Sequence, residues 1–428
     1  MKAIPQSRSS PLTSGQIAIT GVGAVCPLGN SVLEICQALT AGKSGLKEIV
    51  DFDAGGFGCT AARAENLPAI KTDIHPQLAR CMGKHLSLLL ISVQEALGNA
   101  AIAPGIFDPE DFGFFAGMGM VDYHIEDLLP AVLKSLSQGG DLDYDRFFSG
   151  GFREIYPLWP LGMLNNVAFC QAAIHFGLRG ENCVFAPHGD AGIQAVAEAV
   201  KVLGEGKAKA ALAGGVSEEV SPLSLARARL KGLIGRSEVK SGAQGAQGAP
   251  SGISLGECGA MLVLEPLSGA MERGAKILAE VMGFGFSCQR EEESNSASRQ
   301  AMSFAMQGAL RQAEVRPDQI DLIMLGSHSQ NELEAVREIF GTGVEAPVAV
   351  STAGALGEMF AAGPILNTAI GLNIPDLFAL PGDILPYPPR GGGSRGVPSS
   401  PRRVLVNGLS YEGRCASMIV GKTAGGTI

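Results

Sequence analysis

The chain carries little charge for its size. Of its 428 residues, 18% are Asp, Glu, Lys or Arg, against 46% apolar. Acidic residues outnumber basic ones 42 to 33, giving a net charge of −9. That balance excludes a basic face of the kind that binds nucleic acid, so no such partner is expected. Aromatic residues are scarce, at 6%, with a single Trp. Mean hydropathy is nonetheless +0.20. Even so, no uninterrupted apolar run is long enough to span a bilayer, and no membrane association is expected. The opening MKAIPQSRSSPLTSGQ lacks an apolar core, so it does not read as a secretory leader. The nine Cys form no CxxC pair and no cluster with the six His, which leaves no metal site and no cofactor to expect. Free thiols in a reducing cytoplasm are the expectation.

Glycine is abundant, at 58 residues. In so apolar a chain it implies tight turns and close backbone packing. Residues 1–15 read as a flexible lead. Apolar runs predict strands at Ile17–Thr20, Phe112–Ala116, Cys183–Ala186, Ala210–Ala213, Leu255–Glu265, Ile277–Phe286, Ile320–Leu325, Val348–Val350, Val404–Val406 and Ala416–Val420. The strand pair at 255–286 is joined by a short turn. Helical periodicity is expected at Ser31–Ala41, with Ser31 as N-cap, and at Pro76–Ala100, Met163–Phe176, Arg299–Ala313, Glu332–Phe340 and Glu358–Gly371. A turn and helix are expected over Gly117–Leu136. Gly139–Trp159, Ser241–Ser251 and Pro381–Arg403 read as loops. The alternation implies an α/β fold with largely parallel sheets. Two similar halves suggest duplication, with 16–266 as the first and 267–428 as the second.

One stretch organises the rest: NCVFAPHGDAGIQAVAEAV, Asn182 to Val200. It predicts a strand, a bend and a helix bearing Ile193, Val196, Ala197 and Val200 on one face. A residue at such a bend is presented to the helix N-terminus, where free N–H groups favour an anion or a thiolate. Gly189 stands where a nucleophile would sit.

Several stretches resemble the β-ketoacyl-[acyl carrier protein] synthases. IAITGVGAVCPLGNSVLEICQALTAGKSGL resembles their opening strand, turn and helix. SLGECGAMLVLEPLSGAMERGAKILAEVMGFGFS resembles their central hairpin and following strand. ELEAVREIFG and NGLSYEGRCASMIV fit later segments. The likeness runs from about Ile17 to Val420. It implies a thiolase-like fold: a duplicated five-layered αβαβα core with two mixed sheets, dimerised through the N-terminal half. In that family a Cys at the helix start accepts the acyl chain, and two His and a nearby Lys assist. The resemblance places the Cys position on Gly189. The first His position falls on Gly326, with His328 as a displaced equivalent. The second falls on Glu358, or on Ala355 in another register. No Lys lies between Val348 and Ala362. Tyr411 takes the place of the gating Phe, and Glu412 that of a glycine hinge.

The vacated positions Gly189, Gly326 and Glu358 resemble the chain-length factor, or β subunit, of type II synthases. Such a subunit is non-catalytic. It pairs with a catalytic β-ketoacyl synthase α subunit, meets acyl carrier protein through the complex, and shapes the acyl, polyketide or polyene tunnel. On that likeness Tyr123 is the first candidate for a gate at the tunnel end, Met118 and Met120 are candidates for its lining, and Tyr411 stands at the position of the gating Phe. His188, His328 and Glu358 are candidates for a residual polar site. For the Met pair, ordinary interface packing is the plainer reading. For Glu358 it is a capping carboxylate at an apolar helix start. Trp159 reads as an interface anchor or as a residue pinned to the chain's own body. The alternative is an independent thiolase-fold acyltransferase or hydrolase using Cys183, His188 or Glu358. A homodimeric scaffold is a third reading.

Overall fold

The computed structural model describes residues 16–50, 52, 60–70, 83–185, 188–234, 252–290, 297–327, 329–342, 346–374 and 401–422. Their strands, in chain order, are β1 (Ile17–Val25), β2 (Leu46–Glu48), β3 (Thr60–Ala62), β4 (Phe112–Met118), β5 (Asn182–Phe185), β6 (Ala210–Val216) and β7 (Leu255–Gly256). There follow β8 (Gly259–Pro266), β9 (Ala279–Cys288), β10 (Leu322–Met324), β11 (Val348–Val350), β12 (Arg403–Leu409) and β13 (Arg414–Gly421).

Ten of these strands form one sheet, ordered β11-β10-β12-β13-β9-β1-β8-β6-β4-β5. Read outward from the β1–β9 junction, its two halves repeat one plan. Each runs first strand, fifth, fourth, second, third, with the same parallel and antiparallel senses. Among the described strands, the halves pair only where Ile17–Ile19 lies antiparallel to Val281–Ala279. A separate small sheet is ordered β2-β3-β7.

The sheet is mixed, which corrects the expectation of largely parallel strands. β4 with β5 and β6, and β10 with β11 and β12, are parallel; the remaining pairs in it are antiparallel. The turn joining β12 to β13 is too short for a parallel crossover.

Helices complete five layers. Ala191–Gly204 and Gly363–Asn373 lie between the two sheet halves. Lys84–Asn99 and Asn165–Phe176 cover the N-terminal half, and Arg299–Gln312 and Gln330–Phe340 cover the other. The same packing device serves both outer layers. A Cβ on Gly23 of β1 would lie 2.1 Å from the Ser92 carbonyl, and one on Gly285 of β9 would lie 1.9 Å from that of Ala305. Only glycine lets those strands approach the helix backbone so closely.

Sequence periodicity misplaced some local elements. Residues 139–159 are not all loop: Tyr144–Ser149 is a helix whose N-cap Asp143 accepts from Arg146 N–H. The continuous strand expected at 255–265 breaks between β7 and β8, at Glu257 and Cys258. The connection after β8 is a short helix, Leu267–Glu272, rather than a turn. Gly117 and Met118 end β4, and the helix expected there is only Leu129–Lys134. Glu358 does not begin a helix. The long helix starts at Gly363, after Gly357 at φ +70° and Phe360 at φ +44°. Ser31 caps Val32–Thr40 as expected, accepting from Glu34 N–H. The stretch 241–251, His328, and most of 381–403 lie outside the described residues.

Candidate functional site

β5 leads toward the bend, and His188, Gly189 and Asp190 lead into the helix Ala191–Gly204. Gly189 is buried, and the end of β12 crosses directly over it. A Cβ at this position would lie 1.9 Å from the Leu409 carbonyl oxygen and 2.9 Å from its carbon. Backbone occupies the space a nucleophilic side chain would need. Asp190, also buried, accepts a short hydrogen bond from Gln194 Nε2 and has Arg414 Nη2 3.3 Å away. Burial raises its pKa.

The turn 410–413 after Leu409 is tied down by polar contacts. Lys231 Nζ lies 2.6 Å from Glu412 Oε1, Ser410 Oγ donates to Glu412 Oε2 at 2.5 Å, and His188 Nδ1 stands 3.0 Å from that same oxygen. Partial burial opposes ionisation of Glu412, but Lys231 and Ser410 outweigh it and hold the carboxyl below its usual range. Glu412 thus anchors the turn where the resemblance implied a glycine hinge.

The second half contributes Gly326, Ser327 and Glu332. Glu332 is fully buried. Its oxygens accept the backbone N–H groups of Gly326 and Ser327, both at 2.9 Å, and Asn407 Nδ2 at 2.9 Å. Burial still raises its pKa against those donors. A Cβ on Gly326 would lie 2.7 Å from the Asn407 carbonyl oxygen, so this position is also closed by β12.

Glu358 is 8% exposed. Its Oε1 accepts from Phe360 N–H at 3.1 Å and its Oε2 from the Tyr411 hydroxyl at 3.3 Å. Burial pushes its pKa up to about 7, and those two donors only partly oppose the shift. Burial and the neighbouring Glu358 push the Tyr411 phenol well above its ordinary range. Phe360 makes an edge contact with the Tyr411 ring, at 6.2 Å between centroids, and its positive φ is a strained conformation for a bulky residue.

Tyr411 walls two cavities. One, of about 220 Å³, is lined by Met120, His188, Gly189, Phe360 and Tyr411, with Arg227 and Lys231 at its polar side. Those cations are paired: Arg227 with Asp122 and Glu218, Lys231 with Glu412. The other, of about 280 Å³, is lined by Met302, Ser327, Ser329, Glu358, Leu409 and Tyr411.

The structure therefore gathers His188, Gly189, Met120 and Tyr411 around the first cavity, and Glu358 and Tyr411 around the second. It does not gather the rest. Met118 is 1% exposed and packs in the outer core with Phe114 and Phe169. Tyr123 lines a third cavity, beside Trp159. Ala355 is buried, and its carbonyl accepts from Gly45 N–H. Cys183 is half-buried, with burial raising its pKa, and its thiol contacts the Val184 carbonyl rather than His188. Among the described residues no group of His, Cys, Asp or Glu is placed to hold a metal ion.

Sequence reasoning did not single out Leu409, Lys231 or Glu332. The pattern Ser329-x-x-Glu332 was a legible helix-start signal, and Ser329 Oγ does accept from Glu332 N–H. Nothing local marks the Leu409 carbonyl.

Comparison with known proteins fits this geometry to one family. The profile of the β-ketoacyl synthase N-terminal domain matches residues 14–270, and that of the C-terminal domain matches residues 278–371. A 3-oxoacyl-[acyl-carrier-protein] synthase 2 of Coxiella burnetii is 27% identical over 423 residues, covering 95% of this chain and 98% of that protein. One from Staphylococcus aureus is 23% identical, covering 81% of this chain and 82% of its own. Among solved structures, the ishigamide ketosynthase/chain length factor superposes with a TM-score of 0.74 at 21% identity, covering 96% of this chain and 100% of that one. A β-ketoacyl synthase from Burkholderia phymatum superposes with a TM-score of 0.76 at 21% identity, with the same coverage. A type II polyketide ketosynthase solved with its acyl-carrier protein gives 0.71 at 19% identity, covering 96% and 100%.

Proposed function

The chain belongs to the β-ketoacyl synthase family, and from that premise we propose that it is a non-catalytic subunit of chain-length-factor type. It pairs with a catalytic ketosynthase subunit and bounds the space into which the acyl chain grows. The observation that carries this reading is the Leu409 carbonyl at the bend. Acyl transfer in this family's manner needs a thiolate at the helix start, and at Gly189 backbone stands where that side chain would project. Met120 and Tyr411, which wall the cavity beside Gly189, are the proposed boundary residues. Met118, turned into the outer core, is left out.

An apolar segment rich in exposed side chains supports a subunit role. Thirteen of the twenty large hydrophobic side chains exposed among the described residues fall between Met120 and Ile174. An exposed apolar surface of this kind marks an interaction site. The partner supplies the nucleophile, and acyl carrier protein docks on the complex. No helix among the described residues is long and apolar enough to cross a membrane, and we place the complex in the cytoplasm. A hydrolytic or acyl-transfer reading through Glu358 has one observation in its favour, a carboxyl held near neutrality in a cavity wall.

The test is intact-mass analysis of the chain alone, and of the chain with a ketosynthase partner, after incubation with acyl- and malonyl-loaded carrier protein. The expected result is an acylated partner and an unmodified chain. Gly189→Cys is expected to remain unacylated, because its Cβ meets the Leu409 carbonyl. Acylation or turnover by the wild-type chain alone would overturn the proposal.

A further inference from the structure

A third cavity, of about 240 Å³, is lined mostly by residues of the segment between Met120 and Ile174, and Gly189 does not line it. Its aromatic lining is Tyr123, Tyr156 and Trp159, with the Tyr123 and Trp159 rings edge to face at 5.5 Å. Its acidic lining is Asp122, Asp127 and Glu219. Asp122 is already engaged: Arg227 pairs with one oxygen and Ser221 Oγ donates to the other. Among the described residues, no ion pair is made by Asp127 or Glu219.

We propose that this cavity receives a basic side chain, arginine or lysine, presented by the partner subunit; the occupant rests on the subunit reading above. Two features point to a cation. Aromatic faces attract cations through the ring quadrupole, and the attraction strengthens as water leaves. Two carboxylates that make no ion pair among the described residues, not even with His124 of the same lining, supply the complementary field. The surroundings point to delivery by a protein surface. Met163 lines the cavity, and Ile125, Leu129 and Leu164 are exposed in the same chain segment. A docked apolar surface would cover these groups and exclude water around the charge. Arginine is the better fit, since its planar guanidinium both stacks on aromatic rings and pairs with carboxylates.

Trp159 is the only tryptophan, so its emission reports directly on this cavity. In the first arm, the full chain is titrated at about pH 8 with N-acetyl-arginine methylamide and with its neutral counterpart, the citrulline amide. The expected result is a saturable change in emission with the arginine derivative at least tenfold tighter than with citrulline, abolished in the double variant Asp127→Asn/Glu219→Gln. Equal responses to the two compounds, or none, overturn the proposal. In the second arm, sedimentation equilibrium measures the mixed dimer with a type II ketosynthase subunit. The double variant is expected to weaken it at least tenfold with an unchanged circular dichroism spectrum. A mixed dimer of undiminished affinity overturns the proposal alone. Failure of the wild-type chain to form any mixed dimer overturns the subunit reading, and the arginine arm then still decides the chemistry of the cavity.

Discussion

Glu257 and Glu358 lie on two sides of one junction, where Leu255 of β7 bridges Glu358, and the two carboxylates are held in opposite ways. Both are buried. Glu257 receives Lys84 Nζ on both oxygens, at 2.9 and 3.1 Å, and the N–H groups of Ala64 and Val220 at 2.8 and 2.9 Å. Burial still raises its pKa, but a cation opposes the rise. It therefore binds three separate segments of the N-terminal half to the end of β7. Glu358 has one N–H and one phenol, both neutral, and burial carries its pKa to about 7. A buried carboxylate can stay charged where a cation and backbone donors replace its water. Where only neutral donors stand, as at Glu358, the group holds its proton up to about pH 7. The first arrangement is that of a fastener. The second leaves a titratable group in a cavity wall.

The contrast can be broken most directly at Glu257. Glu257→Ala strands Lys84 and two N–H groups in the interior, so a loss of about 3–5 kcal/mol is expected, read as a fall in the urea midpoint. A loss within that of an exposed substitution would remove Glu257 from its fastening role. Glu358 should respond with the opposite sign. Its folded pKa lies above the unfolded value, so its favourable contribution is full below the ordinary carboxyl range and is lost as the pH rises to about 7. Glu358→Gln should therefore raise stability by up to about 3 kcal/mol near pH 8 and change it little near pH 4. Denaturation curves at both pH values decide this. Glu95, a half-buried carboxyl also pushed up to about 7, keeps the remaining pH dependence in place. Tyr411→Phe sharpens the contrast least, at about 1 kcal/mol for the lost hydrogen bond. Since the Tyr411 hydroxyl lowers the pKa of Glu358, the variant should also move that titration upward, as seen by NMR of the labelled carboxyl.

The fold was legible where one residue type serves one local purpose. The start IAIT reads as a strand and is one, but β1 runs on through Gly21 and Gly23 to Val25, five residues past that apolar start. Ser31 reads as a cap and caps. The errors arise where tertiary contacts override local pattern. The strand expected through Glu257 breaks because that carboxylate turns inward to Lys84. The helix expected from Glu358 is delayed by the positive φ at Gly357 and Phe360, which no apolar periodicity records. In the site, the missing side chain at Gly189 was visible at once. That Leu409 occupies its place was not, because 220 residues separate the two in the chain. The position of Met118 was within reach. It shares strand parity with Phe114 and Ala116, and period-2 alternation puts all three on the face away from the cleft.

On the subunit reading proposed above, the Leu409 carbonyl also acts as a ratchet on this bend. A glycine that merely lacked a side chain could regain a nucleophile by one codon change. Here such a change meets the backbone of β12 before it meets any substrate. Return would first require β12 to withdraw, and that shift alone would confer no chemistry. On that reading, two steps, neither useful without the other, separate this chain from an acyl-accepting one.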